Sequence, residues 1–545
     1  VNLIKLAIFL LPVFSIQRHQ KGSKSLQSVM KSQQGQHPNY TITNAFTTDK
    51  QLPPTPTCTK PSCFFCTMTE TDSSTRQAKI AQCFKEMPVR DDKEHVLVLS
   101  GLWKIAVTKP NDPEFPSLGI FDCMAKLIHR GVRDKDWLLR HQNIYIPYYA
   151  AHIIGSYTMN KAKFANKAVQ SGVVLPLMHL LRGKISWVEQ RVAIRALGHL
   201  ASHEKTFEAI AAHETEIIDV ATRIASSCLG EVYDKFVRVK ESKRLKYHRN
   251  LITRGLGGLD FENRKAEEWA SQLQCWSLFF LDCFARKGRA LKLICKKDFL
   301  QVLCGMRGGL ENSNSPGGIG LLRALCGTKT GRESIADLEE VLESICNVSR
   351  SSDDCQYIAI DCLLLLLKDP DTRYKVINIA APVLVDLVEI RSIRRKAKVG
   401  QAITQCLLQD YHKVKYCKLN LKSQRAQEAL EEIWDLKVEK EKRETLMSEE
   451  EIREKEVLAS LLKQEGNKKF WAGDIEKAVL KYSEALGLCP LKFKKERIVL
   501  HSNKAQCHLL LRDPEAAISD TTRALCLSSL VNPSYQEPVE KITSL

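Results

Sequence analysis

The chain is expected to be all-α: a right-handed α-solenoid of stacked helical units, followed by a shorter, truncated array of paired helices. Three observations predict this. Apolar residues recur at helical spacing in HVLVLSGLWKIAV, VVLPLMHLL, VAIRALGHLA and CWSLFFLDCFA, and no stretch alternates in the manner of a sheet. Segments resemble one another at a separation of roughly 40 residues, the period of helical units that stack because one alone cannot bury its apolar face. The 545 residues are too many for one compact core, so an array or several domains is required.

Composition agrees with a folded, helical chain. Hydrophobic residues make up 44% and charged residues 26%, which excludes wholesale disorder. Nineteen cysteines, an odd number, lie along the chain, several inside apolar stretches such as AIDCLLLLLKD, as buried thiols do in a reducing compartment. That usage points to a cytoplasmic or nuclear location rather than secretion. Net charge is +18, from 81 Lys and Arg against 63 Asp and Glu, and favours anionic partners without choosing among nucleic acid, membrane surface and acidic protein.

Residues 1–57 open with VNLIKLAIFLLPVFSIQ, interrupted by Lys5 and Pro12 and short of the roughly 20 apolar residues that span a bilayer. It has neither a small-x-small cleavage site nor an initiating Met, and reads as a fragment or an atypical transcript end. Residues 17 to about 57, rich in Ser, Gln, Thr, Asn and Pro, are expected to be disordered. Residues 58–91 contain CTKPSCFFC, with Cys58, Cys63 and Cys66, and Cys83 beyond them. A C-x2-C pair grips zinc from a tight turn, and Cys83 or His95 could close a tetrahedral site. No second pair follows, so ordinary reduced cysteines beside a disordered boundary are the competing and better-supported reading.

Residues 92–423 form the solenoid. IPYYAAHIIGSYTMNKAKFANKAV and QRVAIRALGHLASHEKTFEAIA align at an offset of 43, placing Gly155 over Gly198, Ala150 over Ala193 and Phe164 over Phe207. Gly288 and Arg289 stand over Gly331 and Arg332 at the same offset, and Arg373 lies 41 residues after Arg332. Between Thr206 and Arg289 an insertion near 230–268 carries the basic stretch KFVRVKESKRLKYHR. Only Phe236 and Tyr247 are there to stack on bases, so a mobile basic insertion is expected rather than an RNA-binding site. The segment SGVVLPLMHLLRGKISWVEQRVAIRALGHLASHEKTFEAIAAHE resembles an armadillo repeat. In the peptide-binding armadillo proteins the third helix carries an Asn that bonds a peptide backbone; here the comparable place is His199, and the resemblance does not extend to recognising basic import peptides.

Residues 424–456 are dense in Glu and Lys at helical spacing, as in a solvated helical linker, and Ser448 with Glu451 forms a capping box that starts the next helix. Residues 457–531 follow. In LLKQEGNKKFWAGDIEKAVLKYSEALGLCP, Gly466, Ala478, Tyr482, Ala485 and Pro490 stand at the spacing of a tetratricopeptide repeat, and Ala505, Ala517 and Ala524 take the small positions of a second. Residues 532–545, with Pro533 and Pro538, are expected to be an irregular tail.

The subtype resembles the carboxylate-clamp repeats of Hsp70 and Hsp90 co-chaperones, which grip the acidic C-terminal tail of a chaperone. Carried onto this chain, the clamp positions are Lys463, Asn467 and Asn503; Lys463 and Asn467, four apart, share a helix face. An ammonium donates charge-assisted bonds to a carboxylate and amides orient it, although both Asn are also ordinary packing residues of such helices. In that family two further cations come from a third repeat. The order of parts resembles a family of plant proteins that combine armadillo-like and tetratricopeptide repeats. The resemblance implies a non-enzymatic protein-binding scaffold, with a co-chaperone adaptor as its sharper form and an RNA- or membrane-surface-associated basic solenoid as the alternative. The sequence contains no phosphate-cradling loop, GxSxG, HExxH or kinase motif set.

Overall fold

The computed structural model describes residues 63–531 apart from 92, 307–316, 352–354, 394–395, 410 and 417–420. These fall into two compact units divided between Thr330 and Gly331. Both are helical; among the described residues the strands are β1 (Ser392–Ile393) and β2 (Lys396–Ala397), an antiparallel pair with Ser392 opposite Ala397. No described helix is long and apolar enough to cross a membrane. The N-terminal 57 residues, Cys58 and the expected tail at 532–545 lie outside the described residues.

The first unit opens with α1 (Phe64–Met68) and α2 (Ser73–Glu86), whose start is fixed by Asp72 accepting from the Thr75 N–H at 2.6 Å. There follow α3 (His95–Thr108), α4 (Ile120–Arg133), α5 (Ile146–Thr158), α6 (Ala162–Gln170), α7 (Val174–Leu181), α8 (Trp187–Ala201), α9 (Glu204–Ala211), α10 (Glu214–Val232), α11 (Leu259–Arg286) and α12 (Gly317–Cys326). Helices α3, α5, α8, α11 and α12 pack each against the next. The two aligned glycines lie at these crossings. A Cβ on Gly155 would stand 3.4 Å from the Ala196 Cβ of α8, and one on Gly198 would stand 2.9 Å from the Phe279 ring of α11. Small residues therefore set how closely successive long helices approach, and the surface they bury drives the stacking.

The basic stretch near 235–249 differs from the mobile insertion that its composition predicts. Arg244, with 1% of its side chain exposed, pairs with Glu262 at 2.9 Å, donates to the carbonyls of Val237 and Val239, and rests over the Phe236 ring. Arg249 takes the other oxygen of Glu262 at 2.8 Å, while Lys235 and Arg238 pair with Glu231 and Asp234. Composition alone hides this, because the neutralising acids lie on α10 and α11 and in the segment between them.

The second unit contains α13 (Glu339–Ser349), α14 (Gln356–Lys368), α15 (Pro370–Leu384), α16 (Val399–Leu408), α17 (Gln424–Trp434), α18 (Lys440–Leu446), α19 (Glu449–Trp471), α20 (Ile475–Leu488), α21 (Lys494–Leu510) and α22 (Pro514–Val531). Asp369 caps α15 by accepting from the Asp371 N–H, and Pro370 opens it, where a missing N–H costs nothing. Arg373, aligned in sequence with Arg332, is buried and donates to the carbonyl of Cys406 at 2.5 Å, tying α15 to α16.

The charged stretch 424–456 is not wholly solvated. Ala426, Ala429, Leu430 and Ile433 bury one face of α17, which packs on α15, and Trp434 stacks on Tyr411 with ring centroids 4.4 Å apart. Lys440 donates to the carbonyls of Leu486, Gly487 and Cys489 at 2.8–3.0 Å, so an ammonium closes the C-terminal end of α20, where the helix dipole favours a cation.

Glu189 offers a test of burial in the first unit. It is fully buried on α8; one carboxyl oxygen accepts from the Ser186 hydroxyl at 2.5 Å and the other has no partner. Burial pushes its pKa from 4.5 up to about 7, the Ser186 hydrogen bond only partly offsetting it. A carboxyl whose folded pKa is raised binds more protons folded than unfolded between pH 4.5 and 7, so stability falls as pH rises through that window. Glu189→Gln is expected to stabilise the chain by on the order of 2 kcal/mol above pH 7 and by little near pH 4.5, in denaturant unfolding at the two pH values. Equal effects at both would show that Glu189 does not titrate in the folded chain.

Candidate functional site

The candidate groove lies between α19 and α21, the first helices of two successive pairs. The start of α19 is the capping box expected from Ser448 and Glu451: the Glu451 N–H donates to Ser448 Oγ at 3.2 Å and the Ser448 N–H to Glu451 Oε2 at 2.7 Å. Those contacts hold the Glu451 carboxyl below its ordinary range. Helix α19 crosses α20 at Gly466, where a Cβ would lie 2.7 Å from the Tyr482 ring. Tyr482, Ala478 and Ala485 are buried with Cys489, Leu500 and Cys507 in one cluster, and Pro490 is buried where α20 ends. Ala505, Ala517 and Ala524 are buried between α21 and α22.

Of the three candidate clamp residues, two touch directly. Asn467 Oδ1 accepts from the Tyr482 hydroxyl at 2.8 Å and from Asn503 Nδ2 at 3.3 Å. With its carbonyl oxygen occupied twice, the Asn467 amide has only N–H donors left to offer a ligand. Lys463, one turn earlier on α19, pairs with Glu496 at 2.6 Å; the lysine side chain is 20% exposed and the glutamate 40%. Glu496 lies seven residues before Asn503 on α21, two turns along the same face.

Sequence reading missed two participants. Glu496 brings a carboxylate of the chain itself to the ammonium that a ligand would use, and its seven-residue spacing from Asn503 was the available signal. Tyr482, assigned to packing alone, also orients Asn467 through its hydroxyl. Deeper in α21 and α22, burial pushes the Asp520 carboxyl up, but the His501 hydrogen bond at 2.8 Å and the Lys504 ammonium more than offset this and hold it below the usual range.

Elsewhere in this unit, buried Asp386 joins the terminal helices to those before them. It pairs with Arg350 at 2.5 Å and with Arg523 of α22 at 2.7 Å, and accepts from the Ser519 hydroxyl at 2.7 Å; Arg523 also holds Glu432 of α17. A cavity of about 350 Å³ adjoins this cluster; of its acids, Asp386, Glu389, Glu432 and Asp435 have cationic partners, and Glu444 accepts from the Leu491 N–H at 2.8 Å.

The candidate zinc set is only partly within the described residues. Cys63 and Cys83 are half-buried and Cys66 exposed, and burial pushes the Cys83 thiol up to about 11, which favours the protonated form over a ligating thiolate. Among the described residues no group of three His, Cys, Asp or Glu is arranged to hold a metal ion.

Fold and groove together define a class: an all-helical repeat protein carrying armadillo-like repeats and tetratricopeptide-like helix pairs. Residues 55–296 match the plant ARM repeat family. The chain is similar to tetratricopeptide repeat protein 12 of Homo sapiens, 42% identical over 83 residues, which is 15% of this chain and 11% of that protein. It is also similar to the unc-45 homolog B of Danio rerio, 39% identical over 64 residues, or 12% of this chain and 7% of that protein. The chain thus spans about a tenth of the length of these relatives. Two engineered proteins of solved structure resemble it at 15% and 17% identity with TM-scores of 0.34 and 0.33, covering 86% and 57% of this chain and 98% and 97% of theirs.

The Gly466 crossing and the Tyr482 hydroxyl contribute to the groove by different means. Gly466→Ala is expected to cost about 1–3 kcal/mol by overpacking against the Tyr482 ring, and Tyr482→Phe about 1 kcal/mol by removing one hydrogen bond. Amide hydrogen exchange across α19 and α20 checks the order; a milder Gly466→Ala would mean that the ring moves aside freely.

Proposed function

We propose that this chain is a non-enzymatic protein-interaction scaffold of the co-chaperone adaptor kind. The tetratricopeptide-type helices, residues 457–531, bind the acidic C-terminal tail of an Hsp70- or Hsp90-type chaperone, and the solenoid, residues 92–423, holds a client. The observation that carries this reading is the line of Lys463, Asn467 and Asn503 along one groove, with the Asn467 oxygen filled and its donors left over. A tail carboxylate would take Lys463 from Glu496. The Lys463–Glu496 pair is partly exposed, and ion pairs open to solvent contribute only about 0–1 kcal/mol, so the exchange is within reach of a charge-assisted bond from Lys463 together with the amide donors.

The test is a titration of a peptide with acidic side chains and a free terminal carboxylate against this chain and against a version extended by a third repeat. Lys463→Ala is expected to weaken binding about tenfold, the equivalent of ~1.4 kcal/mol, and amidating the peptide terminus to weaken it further. Glu496→Gln, which removes the internal competitor, is expected to tighten it. Failure of both versions to bind, together with indifference to Lys463→Ala, would sink the chaperone-tail reading.

A further inference from the structure

The cavity beside Asp386 is walled by the turn after α15, by α18 and α19, by the C-terminal end of α20, and by α21 and α22. Its volume of about 350 Å³ falls within the ~300–1,000 Å³ of small-molecule sites. Val385, Val388, Leu436, Met447, Leu486 and Leu527 supply apolar lining, and Lys455, Arg497 and Lys504 stand among its polar groups. Helix α21 separates two environments. Glu496 and Asn503 meet the terminal groove, whereas Arg497, His501 and Lys504 recur at helical spacing along the face that lines the cavity.

Most charges in this lining are already matched within the chain. Arg523 is taken up by Asp386 and Glu432, Arg443 by Asp435, and Lys440 gives its protons to three carbonyls. Arg497 is different. Its side chain is 7% exposed, yet its ion-pair contact among the described residues is Glu389 Oε1 at 3.8 Å, beyond hydrogen-bond range, and that oxygen already accepts from Lys437 at 2.5 Å. A guanidinium carries several N–H donors in a fixed fork, and burying them without acceptors is costly, so an acceptor must reach Arg497 from the cavity. Lys455, half-buried in the same lining, has no carboxylate within 4 Å among the described residues; Glu451, one turn before it, is engaged with Ser448. Water would supply acceptors but no charge, and a water molecule needs polar partners that the Leu, Val and Met side chains do not offer. Unmatched positive charge beside an apolar wall suits an anion that has a body to bury.

We propose that this cavity binds a small organic oxyanion, a carboxylate or phosphate monoester on an apolar body, with the head group accepting from Arg497, Lys455 adding a second positive charge, and the body against Leu486 and Leu527. The planar fork of a guanidinium pairs with either head group through two parallel hydrogen bonds, so the shared chemistry is the oxyanion. An occupant joins α18 and α19 to α20, α21 and α22, and binding to the folded chain alone raises the stability of these helices. Because neither Lys463 nor Asn467 lines the cavity, it fills whether or not the terminal groove holds a tail.

The test is calorimetric titration and thermal unfolding of the full chain with phenylacetate and phenyl phosphate, beside neutral phenylacetamide and the bodiless acetate and inorganic phosphate. An aromatic anion is expected to bind and raise the unfolding midpoint, with phenylacetamide and the bodiless ions about tenfold weaker or more. The tighter of the two aromatic anions identifies the head group that is taken. Arg497→Gln is expected to weaken binding about tenfold, Arg497→Lys less so, Lys455→Gln about threefold, and Lys463→Ala not at all. The comparison of anion with amide on the unaltered chain, and the Lys455→Gln variant of a half-buried group, hold even if Arg497 variants unfold. No binding of either aromatic anion at about 10 mM, equal binding of the amide, or unchanged affinity in a folded Arg497→Gln chain each overturns the proposal. Acetate or inorganic phosphate binding as tightly as the aromatic anions overturns it as well, and so does loss of binding in Lys463→Ala, which would place the anion in the terminal groove.

Discussion

The structure depends on how closely one long helix can approach the next. A helical unit in an array buries its apolar face only against its neighbours, so each crossing must bring two backbones together without a gap. At Gly198 the Phe279 ring fills the space that a side chain would take, and at Gly466 the Tyr482 ring does so; at Gly155 an added Cβ would come into van der Waals contact with the Ala196 methyl. The same device therefore operates in both units, with the partner's size adjusted to the separation. Functional side chains follow from it, because a crossing fixed at a glycine also fixes which residues one turn away meet: Asn467 beside Gly466 reaches Tyr482, and Arg195 one turn before Gly198 reaches Trp276.

A second kind of joint is ionic. Asp386, wholly buried, gathers Arg350 from the end of α13 and Ser519 and Arg523 from α22. Such a cluster offers little net stability over a well-packed apolar alternative, but losing one partner strands a charge at a cost of about 3–5 kcal/mol. It therefore acts more on which arrangement is adopted than on how stable it is. Lys440, donating to three carbonyls at the end of α20, works in the same direction. These joints explain why a stretch that reads as a solvated linker is instead packed against helices on both sides of it.

What could be read in the sequence was local. The helical period, the capping box at Ser448 and Glu451, and the glycines at an offset of 43 are all short-range patterns, and each corresponds to a feature of the structure. What could not be read was the pairing of charges across distance. Arg244 looked like surplus positive charge because Glu262 is 18 residues away, and Arg191 could not be matched with Trp269, nor Arg195 with Trp276, across some 80 positions. In the candidate groove the three polar positions are legible from spacing, whereas Glu496 is not, because a carboxylate-binding motif is marked by its donors and not by a resident acid. In the sequence His199 marks only the place of an absent Asn; the structure sets it against Trp276, the ring that Arg195 also meets.

Lys463 and Arg195 differ in how their charge is held. Lys463 already has the Glu496 carboxylate, so under the proposed function an acidic tail would exchange one ion pair for another and gain little from charge alone. Under the proposed function, discrimination would come from the Asn467 and Asn503 amides, and occupancy from whether Glu496 is displaced. Arg195 has no such partner. The fold has already removed it partly from water and set it over an indole, so its guanidinium has little conformational freedom left to lose.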